Sequence, residues 1–358
     1  MIPFLKSETQ TKLKLWSELL EEKLSLSSLP ARWLAKKVAQ LSDILVGKER
    51  FVRYFNSPDL LQAYATFFFP QTFARTYFVV RELIELTDYK ARTDNIKVLD
   101  LGAGIGASSF AVWEALNLFF PSVEIEAVDV VEAALRTLKE LAEMRGVKAI
   151  RVIQKDMRKV EMEGYNLVVA SASLSELSSG MEGFVRTVFS KLPSPGVFIV
   201  IEPAWKKGFD LVRRVAKFIK RPSLLPCLLS QRCSLEGKGD WCFASLDLEL
   251  PLFTYRVNQL LKHNLNFVKF TYGVFGKGVA LKFKGARIIS PLKKQKGKSL
   301  VRVCREGEVF WLERLNRDVS YANQQFEEVN CCDIVEFECR AKGEVCRLEK
   351  ENFFRKLI

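Results

Sequence analysis

The sequence predicts an α/β protein, a mostly parallel sheet with helices on both faces, preceded by a helical unit and followed by a small β-rich segment. Three observations predict it. Before residue 90, apolar residues recur at helical spacing. From about residue 95, short apolar runs alternate with helical stretches, and such a β-α-β series requires parallel strands buried on both faces. From Phe267 to about Phe337 the sequence is β-rich. A chain of 358 residues, 48% of them apolar, can bury a large core and holds two or three units. We place these at residues 1–92 (helical), 93–280 (the α/β core, with an insertion at about 221–250) and 281–358 (β-rich).

In the first unit, Leu13, Leu15, Trp16, Leu19 and Leu20 form one apolar stripe, and others run through 33–45 and 79–86. Ser57-Pro58-Asp59 and Phe69-Pro70 read as breaks between helices. In the core, residues 96–101, 123–129, 149–153, 166–171 and 197–202 read as buried strands. Residues 107–118, 131–144, 181–192 and 208–220 read as helices, the last of them basic. A short helix is expected near 254–263, and the charged tail after Cys339 is expected to fray.

The strongest local motif is Asp100-Leu101-Gly102-Ala103-Gly104-Ile105-Gly106. A strand runs into a turn whose glycines allow positive φ and close approach of a ligand to backbone. A helix then begins, with its free N–H groups facing the site. Asp129 ends the next strand, where a carboxylate can accept both ribose hydroxyls of an adenosine. This geometry serves NAD or S-adenosylmethionine. The Asp-x-Gly-x-Gly-x-Gly form, inside the chain after a helical unit, resembles class I S-adenosylmethionine methyltransferases, a Rossmann-like fold. The resemblance implies that Asp156 and Met157 flank the adenine, and that Ser171 to Leu177 border the methyl acceptor. Residues 171–177 lack the Asn/Asp-Pro-Pro-aromatic signature of many base-methylating enzymes. Glu176 is a candidate base, with a surface carboxylate as the plainer reading, and the catalytic residues stay unassigned.

Cys227, Cys233 and Cys242 lie in one polar loop, and Cys304 lies on a distant strand-like segment. Four thiolates suit a [4Fe–4S] cluster or zinc, with unligated thiols as the third reading. The paired Cys-x2–4-Cys knuckles common in structural zinc sites are absent. No secretory signal is evident, so the eight cysteines read as reduced thiols or metal ligands rather than a disulfide frame. A single histidine, His263, excludes any site needing two.

The order of these motifs resembles the methyltransferase-like assembly factors of the small ribosomal subunit, found in mitochondria and bacteria. The matching pieces are 64–75 with Pro70, 166–177, Glu202-Pro203 with Gly208-Phe209, the Pro-Cys … Cys … Trp-Cys insertion, Ala286-Arg287-Ile288 with Pro291, and Cys304. The resemblance implies an S-adenosylmethionine site at Asp100, Gly102, Gly104, Gly106, Asp129, Asp156, Met157 and Ser171. It implies a [4Fe–4S] cluster on the four named cysteines, with zinc as the alternative. It also implies small-subunit ribosomal RNA and a pre-ribosomal particle as partners, and a monomer off the ribosome. Two departures stand out. Leu228 and Phe243 replace histidines that usually follow the first and third cysteines, and Cys331-Cys332-Asp333 replaces a Trp-Gly-Asp. Cys331, Cys332, Cys339 and Cys346 are expected to be ordinary reduced thiols.

Lys and Arg exceed Asp and Glu by 55 − 42 = 13, which favours a polyanionic partner. Lys206, Lys207, Arg213, Arg214 and Lys217 cluster beside the cysteine loop. Lys293, Lys294, Lys296 and Lys298 form a second run in an expected β-hairpin. Such patches neutralise phosphates without reading sequence, although each could equally be solvated charge. No run approaches a membrane span, so no membrane is expected. The expected location is a bacterial cytoplasm, with an organellar matrix also compatible. Two other functions compete: an active RNA or small-molecule methyltransferase with a structural metal, and a non-catalytic RNA-binding protein on the same fold.

Overall fold

The computed structural model describes residues 3–48, 53–92, 94–177, 179–261, 267–342 and 345–358. His263 lies outside them. The chain opens with α1 (Pro3–Leu24) and α2 (Ala31–Leu45). Next come α3 (Pro58–Ala63), a π-helical turn at Tyr64–Phe68 and α4 (Phe69–Leu86). Pro58 does start a helix. The expected break at Phe69-Pro70 does not occur, because Pro70 falls in the first turn of α4, where its missing N–H is harmless. The helix instead runs on through the widened turn. Nearly all of α4 is buried.

The core alternates β1 (Asn95–Leu101), α5 (Ala107–Leu116), β2 (Ser122–Asp129), α6 (Glu132–Arg145), β3 (Ile150–Gln154) and β4 (Leu167–Ser171). It continues with α7 (Met181–Lys191), β5 (Gly196–Pro203), α8 (Lys206–Ile219), β6 (Ala244–Asp247), α9 (Leu252–Leu260) and β7 (Phe267–Lys277). These strands form one seven-stranded sheet in the order β3-β2-β1-β4-β5-β7-β6. The first five are parallel, and β7 runs antiparallel to both its neighbours. That topology is the class I methyltransferase fold. One face carries α1, α4, α5 and α6, and the other carries α7 and α8. Strand order reverses between β1 and β4, which opens a crevice beyond the strands' C-terminal ends.

A second sheet comprises β8 (Ala286–Ile288), β9 (Lys293–Gln295), β10 (Lys298–Arg305), β11 (Glu308–Leu315), β12 (Ile334–Phe337), β13 (Arg340–Lys342), β14 (Val345–Leu348) and β15 (Phe354–Lys356). Its own core gathers Val301, Val303, Leu312, Phe326, Phe337 and Phe354. The lysine run does form a hairpin, β9 against β10.

Two expectations about the tail need correction. The residues after Cys339 are woven into this sheet: β14 pairs with β11, β15 with β12, and Phe354 is buried edge-on against Phe326. Their partners are distant in sequence, so local charge disguised the pairing. Cys339 and Cys346 are not reduced thiols. They join in a disulfide from the residue just before β13 to Cys346 on the paired strand β14, with their Cα atoms 5.7 Å apart. Cys331 and Cys332 remain free, as expected.

Candidate functional site

The crevice holds a cavity of about 940 Å³. Its floor comes from the strand ends: Gly102 and Gly104 after β1, Asp129 closing β2, Ser171 closing β4 and Pro203 closing β5. Gly102 and Gly104 have φ of +77° and +53°. A Cβ on Gly102 would lie 2.5 Å from the Ser173 Cβ, so this glycine lets the β4 loop close on the β1 loop. A Cβ on Gly104 would point into the cavity and meet the Phe55 ring at 3.0 Å.

The Asp129 carboxylate accepts one hydrogen bond from Gly104 N and one from Val131 N, both at 2.9 Å. Burial nevertheless holds its pKa above the ordinary carboxylate value. A carboxylate has about four acceptor positions, so a fixed acid remains able to take hydroxyl donors. The Ser171 hydroxyl lies 3.0 Å from that of Thr76 on α4.

The other expected cofactor residues sit elsewhere. Asp100 is wholly buried and accepts from Ser108 and Ser109, 2.6 Å each, which ties β1 to the first turn of α5. Gly106 faces Phe110 and Leu138 in the interior. Asp156 turns to Arg158, whose backbone and guanidinium hold its pKa down at about 2. Met157 reaches the outer side of Gly102.

The roof comes from the helical unit, which motif reasoning did not assign to the site. Tyr54, Phe55, Tyr64 and Phe68 form a connected aromatic wall, with ring centroids 4.4 to 6.1 Å apart. Arg75, buried on α4, and Glu176 complete the wall. The signals that could have found it are an aromatic run over 64–69 and an arginine on an otherwise apolar helix. Glu176 opens onto the cavity and receives the Tyr54 hydroxyl at 3.4 Å. Glu176 is solvent-exposed where it faces the cavity, yet desolvation by the surrounding walls and the nearby Asp129 and Glu202 charges push its carboxyl up to about 7. Glu202, fully buried behind it, is also pushed up to about 7 by burial. A carboxyl titrating near neutrality can give or take a proton at working pH.

The cysteine loop lies beyond α8. A bridge from Leu225 to Val274 and a bond from Trp241 Nε1 to the Ala204 carbonyl anchor it to the core sheet. Ser234 binds the β10–β11 turn at Gly307 and Val309. The four thiols are free and lie near enough to one another for their ionised forms to repel. Cys242 is pushed up by burial and then by Cys227, Cys233 and Cys304, and Cys304 rises to about 12 from burial, Cys227 and Cys233. Among the described residues, no three His, Cys, Asp or Glu side chains converge tightly enough to hold a single metal ion. Tetrahedral zinc, with Zn–S near 2.3 Å, would need such convergence. A cavity of about 250 Å³ borders two of the four thiols, Cys227 and Cys304.

The basic residues divide by helix face. Lys207 and Arg214, seven apart on α8, line the cavity mouth. Arg213 is buried against the cysteine loop rather than open to solvent. Lys206 pairs with Asp210, and Lys217 pairs with Glu236. In the hairpin, Lys293 lies over the Trp311 ring, Lys294 pairs with Glu327, Lys298 pairs with Glu313, and Lys296 is exposed. No helix among the described residues is long and apolar enough to cross a membrane.

Against known proteins, a family model described as mitochondrial small ribosomal subunit Rsm22 matches residues 59–317, more than half of the chain. No curated protein matches. Among solved structures, the YcgJ protein of Bacillus subtilis is 18% identical over 39% of this chain and 56% of its own, with a TM-score of 0.30. Precorrin-6y C5,15-methyltransferase from Geobacter metallireducens is 15% identical over 41% and 70%, with a TM-score of 0.32. A candidate RNA methyltransferase of Pyrococcus horikoshii is 15% identical over 58% and 85%, with a TM-score of 0.37. The chain spans little more than half the length of the first of these.

Proposed function

Because the chain belongs to the mitochondrial small ribosomal subunit Rsm22 family, we propose that it binds S-adenosylmethionine and small-subunit ribosomal RNA and assists ribosome assembly or translation. It carries a [4Fe–4S] cluster on Cys227, Cys233, Cys242 and Cys304. The convergence of Gly104, Asp129 and Ser171 on one 940 Å³ cavity supports the first part most directly. Bound there, S-adenosylmethionine supplies an electrophilic methyl group. Asp129 would hold the ribose hydroxyls, and the Gly104 backbone would lie against the ligand. The Tyr54–Phe68 wall keeps bulk water from the crevice, and Glu176 is the cavity's proton acceptor at neutral pH. Lys207 and Arg214 at the mouth attract a polyanion toward the same opening. The four thiolates tie the core sheet to the second sheet.

Two measurements test this reading together. Calorimetry should show S-adenosylmethionine binding, and the protein should sediment with small-subunit precursors. Binding of the cofactor with no sedimentation and no RNA affinity would favour a small-molecule methyltransferase. Sedimentation without methyl transfer to ribosomal RNA would leave a binding protein on a methyltransferase fold.

A further inference from the structure

Two buried arginines flank the four-thiol site, and in each one N–H donor makes no hydrogen bond of ordinary geometry. Arg287 on β8 is 2% exposed. Its Nη2 donates to Glu82 at 2.5 Å and to the Tyr272 hydroxyl at 2.8 Å. Its Nη1 is buried without a hydrogen bond of ordinary geometry, although the guanidinium also faces the Cys332 thiol. The same side chain lines the 250 Å³ cavity beside Cys227 and Cys304. Arg213 on α8 is 7% exposed, and its Nη2 donates to the Gln231 carbonyl at 3.0 Å and to Glu236 at 3.3 Å. Its Nε is the second such buried donor. It lies close enough to Cys227 and Cys233 to interact with both charges.

A buried donor left unsatisfied costs about 1–3 kcal/mol, so a native site seldom keeps two without use. Each guanidinium already has a carboxylate partner, so net charge does not explain the arrangement. The spare donors do. They come from two different elements, one on the Cys227–Cys233 side and one on the Cys227–Cys304 side. Arg213 also faces the Cys227 thiol, and Arg287 lines the cavity shared by Cys227 and Cys304, so one anionic group held by these thiols can accept from both.

We propose that Arg213 and Arg287 donate hydrogen bonds to the sulfurs of the [4Fe–4S] cluster, positioning it and setting its reduction potential. This rests on the cluster reading above. Hydrogen bonds to cluster sulfurs stabilise the more negative, reduced state and raise the potential. Partners outside the direct ligands typically change metal retention 10- to 100-fold.

The test uses anaerobically purified full chain: the parent, Arg213→Met, and the double variant Glu82→Gln/Arg287→Met. The double variant removes Arg287 without leaving a buried unpaired carboxylate. Arg213→Met is the variant safer for folding, because its partner Glu236 is partly exposed. Iron and sulfide content, the midpoint potential followed by electron paramagnetic resonance, and the rate of iron loss to a chelator are measured. We expect about four irons per chain in all three proteins. Both variants should show a lower midpoint potential and iron loss faster by about tenfold or more. An iron-loaded parent whose variants match it in potential and loss rate overturns the proposal while leaving the cluster in place. A parent without iron overturns the cluster reading, and the proposal with it.

Discussion

At the scale of single residues, burial raises the pKa of both Asp129 and Glu202, but only Asp129 lines the cavity. Asp129 keeps two backbone N–H donors and stands at the cavity wall. Replacing it with Ala should weaken S-adenosylmethionine binding by roughly 1–3 kcal/mol, the cost of orphaned hydrogen bonds. Unchanged calorimetric affinity would remove it from the site. Glu202 is enclosed, and its pKa of about 7 lies above the ordinary 4.5. The folded state therefore binds more protons than the unfolded state between those values. Stability from the neutral form is fully present below pH 4.5 and is lost as pH rises through 7. Glu202→Gln should flatten that decline by about 3 kcal/mol, read from denaturant midpoints across pH 4 to 8. The glycine loop and Asp129 were legible in the sequence because spacing alone fixes a strand–turn–helix with an acid on the next strand. Asp156 has a local partner that spacing could not show: Arg158, two residues on, claims its carboxylate.

At the scale of elements, α8 and the β9–β10 hairpin separate charge by face. The sequence shows the density of lysine and arginine but not which are neutralised. Lys293, Lys294 and Lys296 together should contribute less than their number suggests, because Lys294 has Glu327 and Lys293 lies over Trp311. Converting all three to Glu should weaken small-subunit RNA binding and lower the salt slope by about one unit for each phosphate no longer neutralised. We expect a drop nearer one unit than three, with S-adenosylmethionine affinity unchanged. A triple variant that binds RNA like the parent at several salt concentrations makes this hairpin plain solvated surface. The roof turns at Tyr54–Asn56 and Tyr64–Phe68 escaped prediction for a different reason. Aromatic residues on a helical unit read as core, and most of them are buried. Their second face, toward the cavity, exists only once the unit docks on the sheet.

At the scale of the whole molecule, the core sheet was readable because its strands alternate with helices along the chain. The second sheet was readable only as β-rich. Its pairings join segments far apart, such as β11 with the parallel β14, and no local pattern encodes them. The two sheets meet at the Glu82–Tyr272–Arg287 network and at the cysteine loop. Replacing Cys304 with Ser should therefore lose iron and also uncouple the sheets. Scanning calorimetry should then show a broadened or split transition where the iron-loaded parent shows one. A single unchanged transition would mean that the thiolates do not join the two halves.

The loop from Cys227 to Cys242 is closed from above by the β10–β11 turn, with Ser234 bonded to Gly307 and Val309. In the order of synthesis this has a consequence. Chains begin folding from the N-terminal side while they are still being made. The last of the three loop cysteines, Cys242, leaves the ribosome 62 residues before Cys304. For that interval the growing chain has three thiols and no fourth side to its enclosure. On the proposed cluster reading, loading waits until β10 and β11 have emerged and turned back, which makes it a late step in the making of the chain.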